Sequence, residues 1–137
     1  MPLTATSGLT GTVSATLTVP EATFGAHLLS AVGLSSTLVA TATLQVRAGL
    51  ALGAYSGQAG GADTAVGTGF GPNEPVALHW NTPTGLTLGT TTSSTKGSFY
   101  GPTKIVFRVP AGYRGWHRLY GVGTHSGAVA ASAFYER

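Results

Sequence analysis

The chain has 137 residues, 42% hydrophobic and only 8% charged, with 21 Gly, 21 Thr, 19 Ala, 11 Ser and no Cys. That length holds one full core plus a fragment of another. The composition excludes disorder, which goes with high charge, and also a disulfide scaffold or a Cys-based zinc site. The uncharged run over residues 22–45 is interrupted by His27, Gly25, Gly33 and several Ser/Thr, so no membrane insertion is expected. Met1-Pro2-Leu3 opens no basic and then apolar leader, so no signal peptide is read there.

In chain order the patterns are those of strands. Val13, Ala15, Leu17 and Val19 alternate with Ser14, Thr16 and Thr18 and stop at Pro20, predicting a strand over 11–19. Two more follow near 26–33 and 38–46. Beyond them the expected strands lie near 48–55, 63–69, 74–81, 86–92, 98–109, 116–123 and 128–135, separated by Gly/Pro/Asn/Ser clusters. No window carries a 3.6-residue period, and Gly, Thr and Val all disfavour helix, so helix content near zero is expected.

Sliding the chain by 90 residues superposes its two parts without a gap. Val19-Pro20, Gly25, His27, Leu29, Val32-Gly33, Ser36 and Val39-Ala40 coincide with Val109-Pro110, Gly115, His117, Leu119, Val122-Gly123, Ser126 and Val129-Ala130: ten identities over the 28 positions 19–46. A period near 90 fits one small sandwich domain rather than a solenoid turn. The expected organisation is therefore residues 1–46 as the C-terminal half of one repeat, the chain starting within a domain, and 47–137 as a complete repeat. Seven short strands without a helix make the expected class all-β, an immunoglobulin-like β-sandwich preceded by the three-strand second half of another.

The run Gly67-Thr68-Gly69-Phe70-Gly71-Pro72-Asn73-Glu74-Pro75-Val76-Ala77-Leu78-His79-Trp80 resembles the opening of bacterial immunoglobulin-like repeats. Leu88-Gly89, Gly97-Ser98-Phe99, Val109-Pro110-Ala111-Gly112, Gly115-Trp116-His117 and Ser126-Gly127 through Ala130 and Phe134 continue the likeness. The resemblance implies tandem modules of secreted or wall-attached bacterial proteins, at the cell surface or outside it, which work as stalks, spacers and adhesive units. It implies no catalytic residue.

Comparing the copies sorts the faces. His117, Leu119 and Gly121 match His27, Leu29 and Ala31 and should face the core, as should Trp80 from the Val76/Leu78 side. The other side reads Ala26, Leu28, Ser30 in one copy and Trp116, Arg118, Tyr120 in the other. If the third, sixth and seventh strands share a sheet, His79, Trp116, Arg118, Tyr120 and Tyr135 form one outer contact face. A neighbouring repeat, a protein partner or a glycan could each cover it. Residues 96–137 carry six of the seven cations against Glu136 alone, which would suit an acidic glycan or anionic wall polymer. No recognition helix or dense basic stripe points to nucleic acid.

Residues 1–46 carry one charge, Glu21, and three such strands alone would bare an apolar face. Val13, Ala15, Leu17, Val19, Leu29, Ala40, Ala42 and Leu44 are the candidate assembly positions, completed by self-association or by neighbouring repeats. No catalytic set, cofactor motif or metal-ligand spacing is read, and Asp63 in its Gly-Gly-Ala-Asp turn has a capping role. The expected function is a non-enzymatic extracellular structural and assembly module. The alternative is a glycan- or receptor-binding module using the aromatic-basic face.

Overall fold

In the computed structural model, which describes residues 2–137, the alternating segments become paired strands. Met1, at the head of the segment read for a leader, lies outside the described residues. The strands are β1 (Gly25–Val32), β2 (Val39–Val46), β3 (Gly49–Leu52), β4 (Ser56–Gly57), β5 (Ala62–Thr68), β6 (Pro75–Trp80), β7 (Thr87–Thr92), β8 (Ile105–Arg108), β9 (Gly115–Gly123) and β10 (Val129–Glu136). A 3-10 turn, Gly101–Thr103, is the only helical element among the described residues, and none is long and apolar enough to cross a membrane. The protein is all-β.

Two sheets face each other across one core. One runs β4-β10-β9-β6-β7 and the other β3-β5-β8, every pairing antiparallel except the parallel β4–β10 edge. Period-two side chains supply the filling. Val76, Leu78 and Trp80 of β6, Leu119 of β9 and Ala130 and Phe134 of β10 meet Leu52, Ala65, Ile105 and Phe107 of the opposite sheet. Phe70 and Phe99 close one end, their centroids 5.5 Å apart. Two facing sheets around a shared apolar layer are compatible with a β-sandwich.

The third sheet is the β1–β2 hairpin alone. It joins the body through the Arg47–Ala48 link into β3, and the Phe24 amide donates to the Phe70 carbonyl at 2.9 Å.

Three expected strands differ. Residues 11–19 form no strand, although the alternation is clear. Under the 90-residue shift their counterpart is β8, which is held by pairing with β5, and residues 2–46 contain no counterpart of β5. A period-two pattern makes a strand only when a neighbour takes its backbone hydrogen bonds. The stretch 98–109 is broken after Phe99, because Gly101 adopts φ +56° and Pro102 has no N–H to give a ladder. The stretch 48–55 shortens to β3, and β4 follows just past its end as the chain passes between sheets. The turn after β3 is held by the Asp63 Oδ1 carboxylate oxygen, which accepts from the amides of Ala54 (2.9 Å) and Thr64 (2.7 Å), so Asp63 sits on β5 and caps this neighbouring turn instead of its own Gly-Gly-Ala-Asp segment.

Candidate functional site

Many of the motif residues build the core. Phe70, Val76, Leu78, Phe99, Ala128 and Phe134 have no exposed surface, and Trp80, Val109, Ala130 and His117 are buried. Glu74 is the least expected of them, a carboxylate sealed inside. Its Oε1 accepts from the Gly71 amide (2.5 Å) and the Ser126 hydroxyl (2.6 Å), and its Oε2 from the amides of His125 (2.8 Å) and Ser126 (2.7 Å). Burial pushes this carboxyl up, but the Ser126 hydroxyl and the three amides outweigh it and hold the pKa below its usual 4.5. The carboxylate thus ties the loop before β6 to the β9–β10 turn, so the likeness between Glu74 and Ser126-Gly127 is one hydrogen-bonded clasp written at two places in the sequence.

His117 is the second buried polar centre. Its ring lies between Trp80 and Tyr113, with both centroids 4.5 Å away. Nε2–H donates to the Tyr113 carbonyl (2.9 Å), and Nδ1 meets the side-chain amide of Asn81 at 3.0 Å. Glu136 Oε2 stands 3.2 Å from Nε2 without forming a hydrogen bond to it. This histidine fastens β9 to the loop before it and to the end of β6.

Above this layer lies the outer face of the same sheet. Cross-strand register places Trp116 opposite Tyr135, Arg118 opposite Ala133, and Tyr120 between Ala131 and His79. The five expected residues therefore share one face. Trp116 is 67% exposed and meets Tyr135 edge-on, centroids 5.2 Å apart. His79 is less available than the others, because its Nδ1–H donates to the Gly85 carbonyl at 2.9 Å. Beside the pair is a shallow recess of about 510 Å³ lined by Asn81, Tyr113, Trp116, His117, Arg118 and Ala133. Tyr113, 66% exposed, and Asn81 were missed from the sequence. The copy comparison held the signal for Tyr113, which stands where the first copy has Thr23, in a loop that period-two reasoning does not reach.

The chain matches no protein-family model and no curated protein. Its own two copies are therefore the comparison that carries the argument. β1–β2 repeats β9–β10 pair for pair. Gly25 faces Val46 as Gly115 faces Glu136, and Val32 faces Val39 as Val122 faces Val129. His27 Nε2–H donates to the Thr23 carbonyl at 2.7 Å, as His117 does to Tyr113. The turns agree as well. Gly33 N donates to Leu38 O and Thr37 N to Gly33 O, matching Gly123 to Ala128 and Gly127 to Gly123. Thr37, at φ +59°, takes the left-handed place that Gly127 occupies at +71°.

Burial is where the copies part. Of the candidate assembly positions, Leu29, Ala40, Ala42 and Leu44 lie on one face of the hairpin with His27 and Ala31, the face that in the twin carries Leu119, Ala130, Ser132 and Phe134. Leu29 is 44% exposed and Leu119 0%. Val13, Ala15, Leu17 and Val19 precede the hairpin outside any ladder, and Val19 is 48% exposed against 3% for Val109.

Proposed function

We propose that the chain is a non-enzymatic structural and assembly module of immunoglobulin-like type, a repeat unit of a bacterial extracellular or cell-surface stalk, fibre or adhesin, which joins its neighbours by strand pairing and apolar burial. The observation that carries this reading is the apolar face of residues 13–44, exposed although its twin is buried. The resemblance of residues 67–80 supports the family and the compartment. The motif residues are occupied in holding the fold together, which suits a module whose work is mechanical. Solution mass across a dilution series, read together with amide exchange of β1 and β2, tests it. Amides that exchange freely in the lone chain and slow on association support assembly. A concentration-independent 13.7 kDa monomer with protected β1 and β2 amides would mean the hairpin is satisfied by its own chain, and the reading falls.

A second reading has its own observation. The outer face carries Trp116, Tyr135 and Arg118 beside the Tyr113 recess in one copy, and Ala26, Gln45, Leu28 and Thr23 in the other, so the register of the strand pair does not require those aromatics. Rings next to an arginine suit a glycan or anionic wall polymer. Trp116→Ala with Tyr120→Ala separates the two. Loss of glycan retention at unchanged oligomer mass favours binding, and loss of the oligomer favours assembly.

A further inference from the structure

We infer that β1–β2, with residues 11–19 ahead of it, is the docking site for the first half of another repeat of this kind, a polypeptide with the chemistry of residues 47–100. The inference rests on the assembly reading and names the partner that reading leaves open.

The twin displays what covers this surface. On β9, the partner edge is β6, with Val76 opposite Gly123 and Trp80 opposite Leu119. The face of β9 and β10 is closed by Leu52, Ala65 and Phe70. β8, the counterpart of residues 15–18, is held by β5. All of these come from residues 47–100. The hairpin keeps the register, the histidine anchor and the turn that receive them, so its surface is already shaped for such a segment.

The polar groups are complementary too. In the complete repeat the β9–β10 turn offers two amides and a serine hydroxyl, and these hold the Glu74 carboxylate. The β1–β2 turn has the same backbone bonds and the same serine, Ser36, whose Oγ meets the Leu38 amide as Ser126 Oγ meets that of Ala128. No carboxylate reaches that turn among the described residues. A first half brings one, at the position of Glu74, into a turn with no basic side chain to compete for it. It also brings the Asn81 amide and the Trp80 ring to His27, whose twin uses both.

Among the described residues the one first half, 47–100, already covers 101–137, so it is not left over for 11–46. The bulk on the hairpin also differs from the twin: Leu44 replaces Phe134 and is smaller, while Leu38 replaces Ala128 and Ala31 replaces Gly121, against which Phe70 packs. The partner therefore carries more volume opposite Leu44 and less opposite Ala31 than residues 47–100 do, and residues 47–100 serve as a weaker probe of the same kind.

The test uses the 90-residue register. A second copy of residues 47–100 is placed directly before Gly11, the counterpart of Gly101, with everything from Gly11 onward unchanged. Hydrogen exchange of β1 and β2 is compared with that of the unmodified chain. The expected result is slowing of the β1 amides by about tenfold or more, abolished by Leu29→Asp or Leu44→Asp while residues 47–137 stay folded. β1 amides that exchange as fast as before, in a joined chain whose 47–137 part is folded, overturn the inference. If the joined chain is insoluble, synthetic residues 47–100 are titrated into the unmodified chain: resonance shifts confined to 11–46 support it and their absence overturns it. A probe-free dimer with protected β1 amides also overturns it, because the hairpins then cover each other, but leaves assembly standing. A monomer with protected β1 amides overturns both.

Discussion

The β1–β2 hairpin and the β9–β10 pair share a register at every position, a histidine anchor and a turn, and differ in what lies against them. Their identities concentrate where the backbone needs them: Gly at the strand start, His under the preceding loop, Gly and Ser in the turn. Their differences concentrate on the outer face, where Ala26, Leu28 and Gln45 become Trp116, Arg118 and Tyr135. Local chemistry is thus enough to set a hairpin's register. Burial is a property of neighbours, and only one of these two hairpins has a full set.

The strongest way to break this comparison is to make the same substitution in both. Leu119→Ala should cost about 3 kcal/mol of unfolding free energy, because its side chain is wholly enclosed, whereas Leu29→Ala should change it by less than about 0.5 kcal/mol. Urea denaturation of the two variants reads this directly, and equal losses would mean the hairpin is as enclosed as its twin.

Glu74→Gln comes next, at about 2 kcal/mol, since an amide group offers donors to a nest made of donors. The same residue sets a pH response. Its pKa falls on folding, so it contributes stability above its unfolded value near 4.5, and that contribution is lost as the pH drops through the lower folded value. Denaturation midpoints at pH 7 and pH 3 should therefore separate less in Glu74→Gln than in the unmodified protein. An equal separation would assign the acid response to other carboxylates.

Two smaller effects sharpen the picture. Thr37 is β-branched and sits in the left-handed region that its twin fills with Gly127. Thr37→Gly should relieve about 1 kcal/mol within the hairpin, seen as slower exchange of β1 and β2 amides with no change in the stability of 47–137. Trp116→Ala should alter unfolding by less than about 0.5 kcal/mol, because the ring stands outside the core. A larger loss would show that the outer aromatic pair supports the fold.

Much of this was legible in the sequence. The copy comparison sorted inner from outer faces on β9 and β10 and put His117 inside, the Val76/Leu78 alternation put Trp80 inside, and the assumption that the third, sixth and seventh strands share a sheet brought His79, Trp116, Arg118, Tyr120 and Tyr135 to one face. Residues 11–19 misled because alternation reports an amphipathic edge and is silent on whether a partner strand is present. Tyr113 and Asn81 escaped because both sit in loops, where side-chain placement follows from tertiary contacts. Glu74 escaped as a buried acid because nothing in its local pattern distinguishes a carboxylate held by distant amides from one in water, whereas Glu136 continues the inward alternation of Ala130 and Phe134 and was legible there.

The parallel β4–β10 edge bears on how tension would pass along the molecule. The Tyr135 amide donates to the Tyr55 carbonyl at 2.9 Å and the Arg137 amide to Gly57 at 2.8 Å, so the first strand to join the larger sheet is laced to the last residues of the chain. Pulling two parallel strands from opposite ends slides one along the other, and both bonds resist together. The β1–β2 hairpin is the reverse case: its ends, Gly25 and Val46, face each other, so the same pull opens it one pair at a time. Stretched end to end, the chain should yield first at the hairpin and hold at the β4–β10 edge, a soft link in series with a stiff one, which force spectroscopy would record as a small early extension before the main rupture.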